Sequence, residues 1–135
     1  MLRTDPMIGT YMTRSPRSID ARAPLKEAQA MMKDYDIRHL PVMQDGKVIG
    51  ILSDRDVKVA FGLKMTDPSG VPVSVVCQKD PYIVDSQALL RQVAHTMAVK
   101  HYGSTIVVDD GKLVGIFTTV DACRVLTSLI EARLP

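Results

Sequence analysis

The chain carries the same stretch of sequence twice. Residues 45–57 are DGKVIGILSDRDV, and 65 positions later residues 110–122 are DGKLVGIFTTVDA. The register continues upstream without a gap, so that Pro81 falls on Pro16 just as Asp121 falls on Asp56. Such a register is hard to obtain by chance, and it predicts a fold built from two copies of one supersecondary unit.

Each copy predicts the order strand, helix, strand, hairpin, strand, helix. A short extended piece follows each of the two prolines, at residues 17–20 and 82–85. In the first copy we expect a helix to begin near Pro24, because proline suits a first helical turn and the apolar residues that follow recur at helical spacing. The apolar runs at residues 38–43 and 104–108 predict the next strands.

The second half of each copy contains one Asp-Gly pair between two apolar runs. Asp45-Gly46 and Asp110-Gly111 predict tight hairpins, since this pair readily takes the positive φ angles such turns need. Strands are expected to follow at 48–52 and 113–117, with helices beginning at Asp54 and Thr119, so the fold class is α+β. The last helix is amphipathic, and its apolar side carries Ala122, Val125, Leu126, Leu129, Ile130 and Leu134.

Chain length and the turn-rich residues set the domain boundaries. The chain has 135 residues, and a strand and helix set of about fifty residues buries too little apolar surface to be stable alone. We expect a first repeat with its N-terminal segment at 1–61, a linker rich in Gly and Pro at 62–72, and a second repeat at 73–135. Two such β-α-β-β-α repeats, packed through their sheets about a pseudo-twofold axis, would bury enough apolar surface for a stable fold.

Composition argues against several functional classes. The net charge of +2 is too small to indicate nucleic acid or an anionic membrane as a partner. No apolar run is long enough for a bilayer and the first residues lack a signal peptide's apolar stretch, so we expect a cytoplasmic protein. Two cysteines make no disulfide framework, and neither a metal-ligand spacing nor a catalytic pair recurs, so we expect no metal site and no enzyme.

The repeated corner, residues 50–56 and 115–121, has two interpretations. A hydroxyl followed three residues later by an acid is a capping box, which stabilises a helix start by roughly 1 kcal/mol. The functional interpretation adds a glycine, which lets something approach the backbone, and a carboxylate that can accept from both hydroxyls of a ribose. The helix N-terminus suits a phosphate and the apolar strands suit a flat base. The sequence leaves both interpretations open.

The 65-residue duplication, the RHLPV strand, the DGK hairpin and the two corners resemble the cystathionine-β-synthase-type (CBS) domain, two copies of which form a Bateman module. The resemblance covers nearly the whole chain. It implies a stand-alone, non-catalytic regulatory module that binds AMP, ADP, ATP or S-adenosylmethionine in the cleft between the repeats. It also implies a homodimer, and a further protein partner whose identity the sequence does not give.

The family pattern also implies roles for individual residues. The acid of each corner, Asp56 or Asp121, would hold the ribose hydroxyls, and the hydroxyl residue, Ser53 or Thr118, would serve ribose or phosphate. Side chains before the hairpin would reach phosphates, and the residue before each early proline would contribute across the pseudo-twofold axis. Those positions, with the cation inside the first corner, are Arg38, His39, Ser104, Ser15, Asp80 and Arg55.

The resemblance further implies that the two corners are unequal. Arg38, His39 and Arg55 give the repeat-one corner a cationic surround, whereas the matching repeat-two positions carry no charge. Asp80 would face the repeat-one corner and repel a phosphate there, while Ser15 opposite the repeat-two corner would not. On the number of cations we nevertheless expect repeat one to bind the more charged ligand.

Four residues outside the corners have alternative interpretations. Tyr82 and Tyr102 either stack on adenine or are partly buried with a bonded hydroxyl, and the second is favoured. Cys77 and Cys123 are favoured as buried thiols over redox groups. An alternative function for the whole chain is a nucleotide-independent stress-response protein that acts through protein contacts and is linked to its thiols or to a metal.

Overall fold

In a computed structural model that describes residues 5–63 and 67–134, the chain forms two compact units. The repeat-one unit comprises residues 17–63 and 67–81, and the repeat-two unit joins residues 5–16 to residues 82–134. In chain order the elements are α1 (Ile8–Tyr11), β1 (Thr13–Arg14), β2 (Ile19–Asp20), α2 (Leu25–Asp34), β3 (His39–Gln44), β4 (Lys47–Ser53), α3 (Asp54–Gly62), a 3-10 turn (Pro68–Gly70), α4 (Val73–Val76), β5 (Gln78–Lys79), β6 (Ile83–Val84), α5 (Leu90–Lys100), β7 (Ser104–Asp109), β8 (Lys112–Thr118) and α6 (Thr119–Arg133).

Each unit is built on one mixed sheet of four strands. The repeat-one sheet has the order β2-β3-β4-β5, in which β2 and β3 are parallel and the other neighbours are antiparallel. The repeat-two sheet has the matching order β6-β7-β8-β1, again with one parallel pair. The expected α+β fold of two repeats is confirmed, as are the helix starts near Pro24, at Asp54 and at Thr119.

The duplication extends to the backbone angles. Every positive-φ residue of the described chain has a counterpart 65 positions away that also has a positive φ. Asp45 and Gly46, with φ of 52° and 77°, form the hairpin turn, which is the conformation predicted for Asp-Gly. The pairs are Ser15 and Asp80, Asp36 and His101, Asp45 and Asp110, and Gly46 and Gly111.

The compact units are divided differently from the sequence repeats. Strand β1 lies before the first repeat's helix, yet it pairs with β8, with Thr13 opposite Ile116 and Arg14 opposite Gly115. Strand β5 likewise pairs with β4, with Lys79 opposite Gly50. Each unit therefore completes its sheet with a strand from the other sequence repeat. The repeat boundaries at 61 and 73 describe the duplication in the sequence, whereas the compact units have different boundaries. Residues 64–66 of the expected linker lie outside the described residues.

Each unit has its own apolar core. In the repeat-one unit α2, α3 and α4 cover the sheet, and the fully buried residues include Leu25, Leu40 and Leu52. In the repeat-two unit Ile8 of α1 and Val93 of α5 pack with Phe117 of β8. Helices α1 and α4 were not predicted, because they are single turns too short to give a periodic pattern.

Helix α6 differs in part from its prediction. Ala122 and Val125 pack against the repeat-two core as expected. Leu126, Leu129 and Ile130, which were placed on the same side, are more than half exposed. The C-terminal part of α6 therefore presents an apolar face that the described chain does not cover. No helix in the described part of the chain has the length and apolar character needed to cross a membrane.

Candidate functional site

Both repeated corners are capping boxes at the start of a helix. The repeat-one corner (Gly50, Ser53 and Asp56) joins β4 to α3, and the repeat-two corner (Gly115, Thr118 and Asp121) joins β8 to α6. In each, the hydroxyl oxygen accepts from the backbone N–H of the acid while the carboxylate accepts from the backbone N–H of the hydroxyl residue. The capping interpretation is therefore confirmed for both corners, which leaves open whether the carboxylates also bind a ligand.

In the repeat-one corner the carboxylate keeps one lightly used oxygen. Asp56 is half-buried, and its Oδ2 accepts from the Ser53 backbone N–H at 3.0 Å. Among the described residues, the side chain that donates to its Oδ1 is the exposed amide of Gln78, at 3.4 Å. Because a hydrogen bond of that length to a flexible side chain is weak, a ligand hydroxyl could displace it.

In the repeat-two corner both oxygens of the carboxylate are engaged. Asp121 is 6% exposed, and its Oδ2 accepts from the backbone N–H and the hydroxyl of Thr118, at 2.9 and 3.2 Å. Its Oδ1 accepts from the Thr13 hydroxyl at 3.2 Å and from the Arg124 guanidinium at 3.5 Å. A ribose at this corner would have to replace bonds that already stabilise the fold.

The two corner glycines lie so close to a neighbouring segment of the chain that a side chain would not fit there. A Cβ atom on Gly50 would lie 2.7 Å from the carbonyl oxygen of Gln78 and 2.8 Å from Sγ of Cys77. A Cβ atom on Gly115 would collide with the Sδ atom of Met12. Cys77 and Met12 occupy equivalent positions 65 residues apart, so the duplication explains both close approaches. The close approach that each glycine was expected to allow is therefore made by a neighbouring segment of the same unit.

His39 lies beside the repeat-one corner, opposite Ser53 across the β3–β4 pair. Burial lowers the pKa of His39 below its usual 6.5, and the carboxylates of Asp56 and Asp54 partly offset this. The imidazole is therefore neutral at physiological pH, so His39 does not supply the cationic charge expected of it. Arg38 is exposed, and its carbonyl oxygen accepts from the Asp54 backbone N–H at 2.8 Å. Arg55 is exposed in the first turn of α3.

The remaining expected site residues lie at strand ends. Ser104 is half-buried at the start of β7, opposite Thr118. Ser15 and Asp80 follow β1 and β5, are exposed, and have φ of 48° and 57°. A left-handed conformation is unfavourable for a residue that is not glycine, and more so before a proline, so these two positions are strained in the same way.

The expectation of a buried thiol holds for one of the two cysteines, and the two tyrosines lie next to each other. Cys77 is buried, and burial raises its thiol pKa above the usual 9.0, as expected of an unreactive thiol. Cys123 is exposed on α6, so the buried-thiol expectation is wrong for it. Tyr82 and Tyr102 contact each other, with ring centroids 5.4 Å apart, and Tyr102 is 40% exposed. Within the described residues no three His, Cys, Asp or Glu side chains come together to hold a metal ion.

Three residues of the corners were missed by the sequence analysis. Gln78, Thr13 and Arg124 contribute side-chain hydrogen bonds to the two carboxylates. Thr13 and Gln78 are equivalent positions of the repeat, and both lie on the short strands that complete each sheet. Their two-residue strands gave no periodic signal, but their matching places in the duplication could have marked them.

Comparison with known proteins gives a family match over most of the chain. The family model for the CBS domain matches residues 8–62 and again residues 69–128. Hypoxic response protein 1 of Mycobacterium tuberculosis is 28% identical over 101 residues, which cover 74% of this chain and 71% of that protein. A crystal structure of hypoxic response protein I with two coordinated zinc ions has a TM-score of 0.76 at 23% identity, over 96% of this chain and 100% of that one.

Other solved structures are similar over nearly the full length. A putative acetoin utilization protein (AcuB) from Vibrio cholerae has a TM-score of 0.85 and 30% identity, with 95% of each chain covered. The CBS domain pair of protein MJ0100, in complex with 5-methylthioadenosine and S-adenosyl-L-methionine, has a TM-score of 0.83 at 20% identity, over 93% of this chain and 98% of that one. CBSX2 in complex with AMP has a TM-score of 0.78 at 22% identity, over 91% and 97%.

Proposed function

Because this chain belongs to the CBS domain family, we propose that it is a non-catalytic sensor of an adenosine-containing ligand such as AMP or S-adenosylmethionine. The structural relatives MJ0100 and CBSX2 bind such ligands. In this chain the observation that carries the proposal is the repeat-one corner, whose Asp56 carboxylate has an oxygen that, in the described part of the chain, accepts one hydrogen bond of 3.4 Å from Gln78.

We assign the ligand to the repeat-one corner first. Asp56 can accept from the two ribose hydroxyls through Oδ1 once Gln78 moves, while Oδ2 continues to cap α3. Arg38 and Arg55 are exposed cations of the same unit and would attract a phosphate. Asp121 offers no comparable free oxygen, because Thr13, Thr118 and Arg124 all donate to it. The expected inequality of the two corners is thus retained as a proposal, with Arg38 and Arg55 in place of His39.

Thermal unfolding with a panel of adenosine compounds tests this function. A ligand that binds only the folded chain stabilises it by RT ln(1 + [L]/Kd), about 2.7 kcal/mol at a hundredfold excess over Kd. We expect AMP, ADP, ATP or S-adenosylmethionine to raise the Tm of the wild-type chain. Asp56→Ala should abolish the ligand-induced rise, and Asp121→Ala should retain it.

Each variant is compared with its own ligand-free Tm, because loss of either cap costs roughly 1 kcal/mol without ligand. Guanosine compounds serve as the negative panel. A rise that survives in Asp56→Ala and disappears in Asp121→Ala would move the site to repeat two. The absence of any rise with all adenosine compounds would overturn the sensor function.

A second candidate function is a nucleotide-independent stress-response role. It is favoured by the sequence similarity to hypoxic response protein 1, whose crystal structure holds two zinc ions. The exposed thiol of Cys123 is the group in this chain most open to oxidation or to a metal shared with another molecule. A Tm that responds to zinc or to oxidant, is lost in Cys123→Ser and ignores adenosine compounds would support this candidate over the first.

We also propose that the chain works as a homodimer. Leu126, Leu129 and Ile130 of α6 are 57%, 55% and 53% exposed, and they follow the part of the helix that packs on its own core. A second copy of the chain offers an apolar helix face of the same kind, which makes an isologous contact self-complementary.

A further inference from the structure

A hollow in the repeat-two unit lies away from its corner. It has a volume of about 590 Å³, within the range of small-molecule sites. It is lined by α1, β1, the segment between β6 and α5, and the strand residues on either side of the β7–β8 turn. The repeat-two corner begins α6 at the opposite end of β8 from this turn. The polar residues in its wall include Thr10, Arg14, Ser15, Gln87 and Asp109.

The wall of the hollow carries one charge of each sign. Asp109 accepts from the Ser86 backbone N–H at 2.9 Å and from the Ser86 hydroxyl at 2.6 Å, which fixes the position of the carboxylate. These hydrogen bonds lower the pKa of Asp109, so that the group is ionised at neutral pH. Because a carboxylate has about four acceptor sites and Ser86 takes two, Asp109 can accept further hydrogen bonds.

The cation of the hollow is Arg14. Its Nη2 atom donates to the carbonyl oxygen of Gly9 at 3.3 Å, and the side chain is exposed. The ion pairs of the described chain include neither Arg14 nor Asp109. Two opposite charges thus line the same hollow, and each lacks an oppositely charged partner there.

The repeat-one unit provides an internal comparison. Sixty-five positions away, Asp109 is matched by Gln44, Ser86 by Ala21 and Thr10 by Val75. The position of Arg14 is taken by another cation, Lys79, while those of Ser15 and Gln87 carry the charged residues Asp80 and Arg22. The two units share one backbone plan, so the fixed carboxylate is a feature of this chain's second repeat and not a requirement of the fold.

An apolar surface completes the hollow. Met12, Leu113 and Val114 lie in its wall beside the charged residues. A simple anion would be attracted by Arg14 but repelled by Asp109, and a simple cation would meet the reverse, whereas a molecule with both charges satisfies the two together. An apolar group on that molecule would replace water against the methionine and leucine side chains.

We propose that this hollow binds a small zwitterion of the amino-acid type, with its carboxylate on Arg14, its ammonium group on Asp109 and an apolar side chain against Met12 and Leu113. Arg14 presents a planar pair of donors that matches a carboxylate. This site is independent of the adenosine ligand, so either can exist without the other.

Two-dimensional ¹H–¹⁵N NMR of the full chain tests the proposal with L-leucine as the probe. We expect saturable shifts of the amide resonances of Thr10, Ser15, Gln87 and Val114, which surround the hollow. Two matched half-ligands, 4-methylpentanoate and 3-methylbutylamine, carry only the carboxylate or only the ammonium group. Each should bind at least tenfold more weakly than leucine.

Substitutions of the two charged residues distinguish specific binding in the hollow from non-specific changes in the spectrum. Arg14→Gln and Asp109→Asn should each abolish saturable binding of leucine, while Lys79→Gln at the equivalent repeat-one position should leave it unchanged. Arg14 is exposed, so an otherwise unchanged spectrum verifies that its variant is folded. Non-saturable shifts, equal binding of leucine and the half-ligands, or undiminished binding in Arg14→Gln would overturn the proposal. A parallel AMP titration reports on the sensor function separately.

Discussion

At the scale of single residues, Asp56 and Asp121 show how a repeated group keeps its role in folding while its other contacts change. Each carboxylate caps a helix through a backbone N–H at about the same distance, 3.0 and 2.9 Å. They differ in what else reaches the carboxylate, since Gln78 is long and exposed whereas the side chains of Thr13, Thr118 and Arg124 all donate to Asp121. Side chains inside and outside the repeated motif therefore give the two carboxylates different hydrogen-bond partners.

Thr105 carries a polar hydroxyl group at a fully buried position. It is fully buried on β7, its hydroxyl has no hydrogen-bond partner in the described chain, and the equivalent repeat-one residue is the core residue Leu40. Since an unpaired buried hydroxyl is destabilising, Thr105→Val should raise the free energy of unfolding by about 1 kcal/mol in urea titrations. Thr118→Val makes the same chemical change at a helix cap and should lower it by about 1 kcal/mol. A stability loss in Thr105→Val would show that the hydroxyl has a partner.

His39 makes stability depend on pH in a defined direction. Burial lowers its folded-state pKa below the unfolded value of 6.5, so the unfolded chain binds the proton more readily. The contribution of His39 is present above pH 6.5 and is lost as the pH falls below it. We expect His39→Asn to flatten the dependence of the urea midpoint on pH between 6.5 and the lower folded-state pKa. His95→Asn, which removes an imidazole from an exposed position on α5, is the matched control substitution.

At the scale of elements, the sequence predicted the hairpins and helices that local chemistry determines, and it did not predict the strands that depend on pairing with distant residues. The Asp-Gly hairpins and the helices after the corners were located from local chemistry, because turn angles and capping are set within a few residues. Strands β1 and β5 have two residues each and pair with strands distant in sequence. Their partners depend on the tertiary fold, so no local pattern could reveal them, nor the side chains that they bring to the corners.

The two corner glycines give a prediction about strand packing. Gly50→Ala should lower the free energy of unfolding by about 1–3 kcal/mol, because the new methyl group meets the Gln78 backbone as well as Cys77. Gly115→Ala should cost less, since it meets the end of the flexible Met12 side chain. Gly62→Ala, where nothing lies within 4 Å, is the control and should be neutral or slightly stabilising. Equal costs at Gly50 and Gly115 would contradict this account.

At the scale of the whole molecule, the chain is two similar units that no longer carry the same surface groups. The repeats share strand order, backbone angles and capping boxes. They differ in the partners of Asp56 and Asp121 and in the charges near the hairpin turn. The duplication made the shared features predictable from the sequence. The differences depend on single side chains whose neighbours only the structure reveals.

Helix α6 carries the prediction that concerns assembly. Its residues Leu129 and Ile130 are about half exposed, so burying the remaining surface of each against a second copy would contribute about 0.8–1.5 kcal/mol. We expect the wild-type chain to sediment as a dimer at micromolar concentration, and Leu129→Glu or Ile130→Glu to raise the dimer Kd at least tenfold, since roughly 1.4 kcal/mol corresponds to a factor of ten. Val75→Glu, which alters an apolar residue 71% exposed on α4, tests whether any added surface charge has this effect and should leave the dimer intact. A wild-type chain that sediments as a monomer would refute the proposed dimer, and a dimer unaffected by both α6 substitutions would move the interface away from this helix.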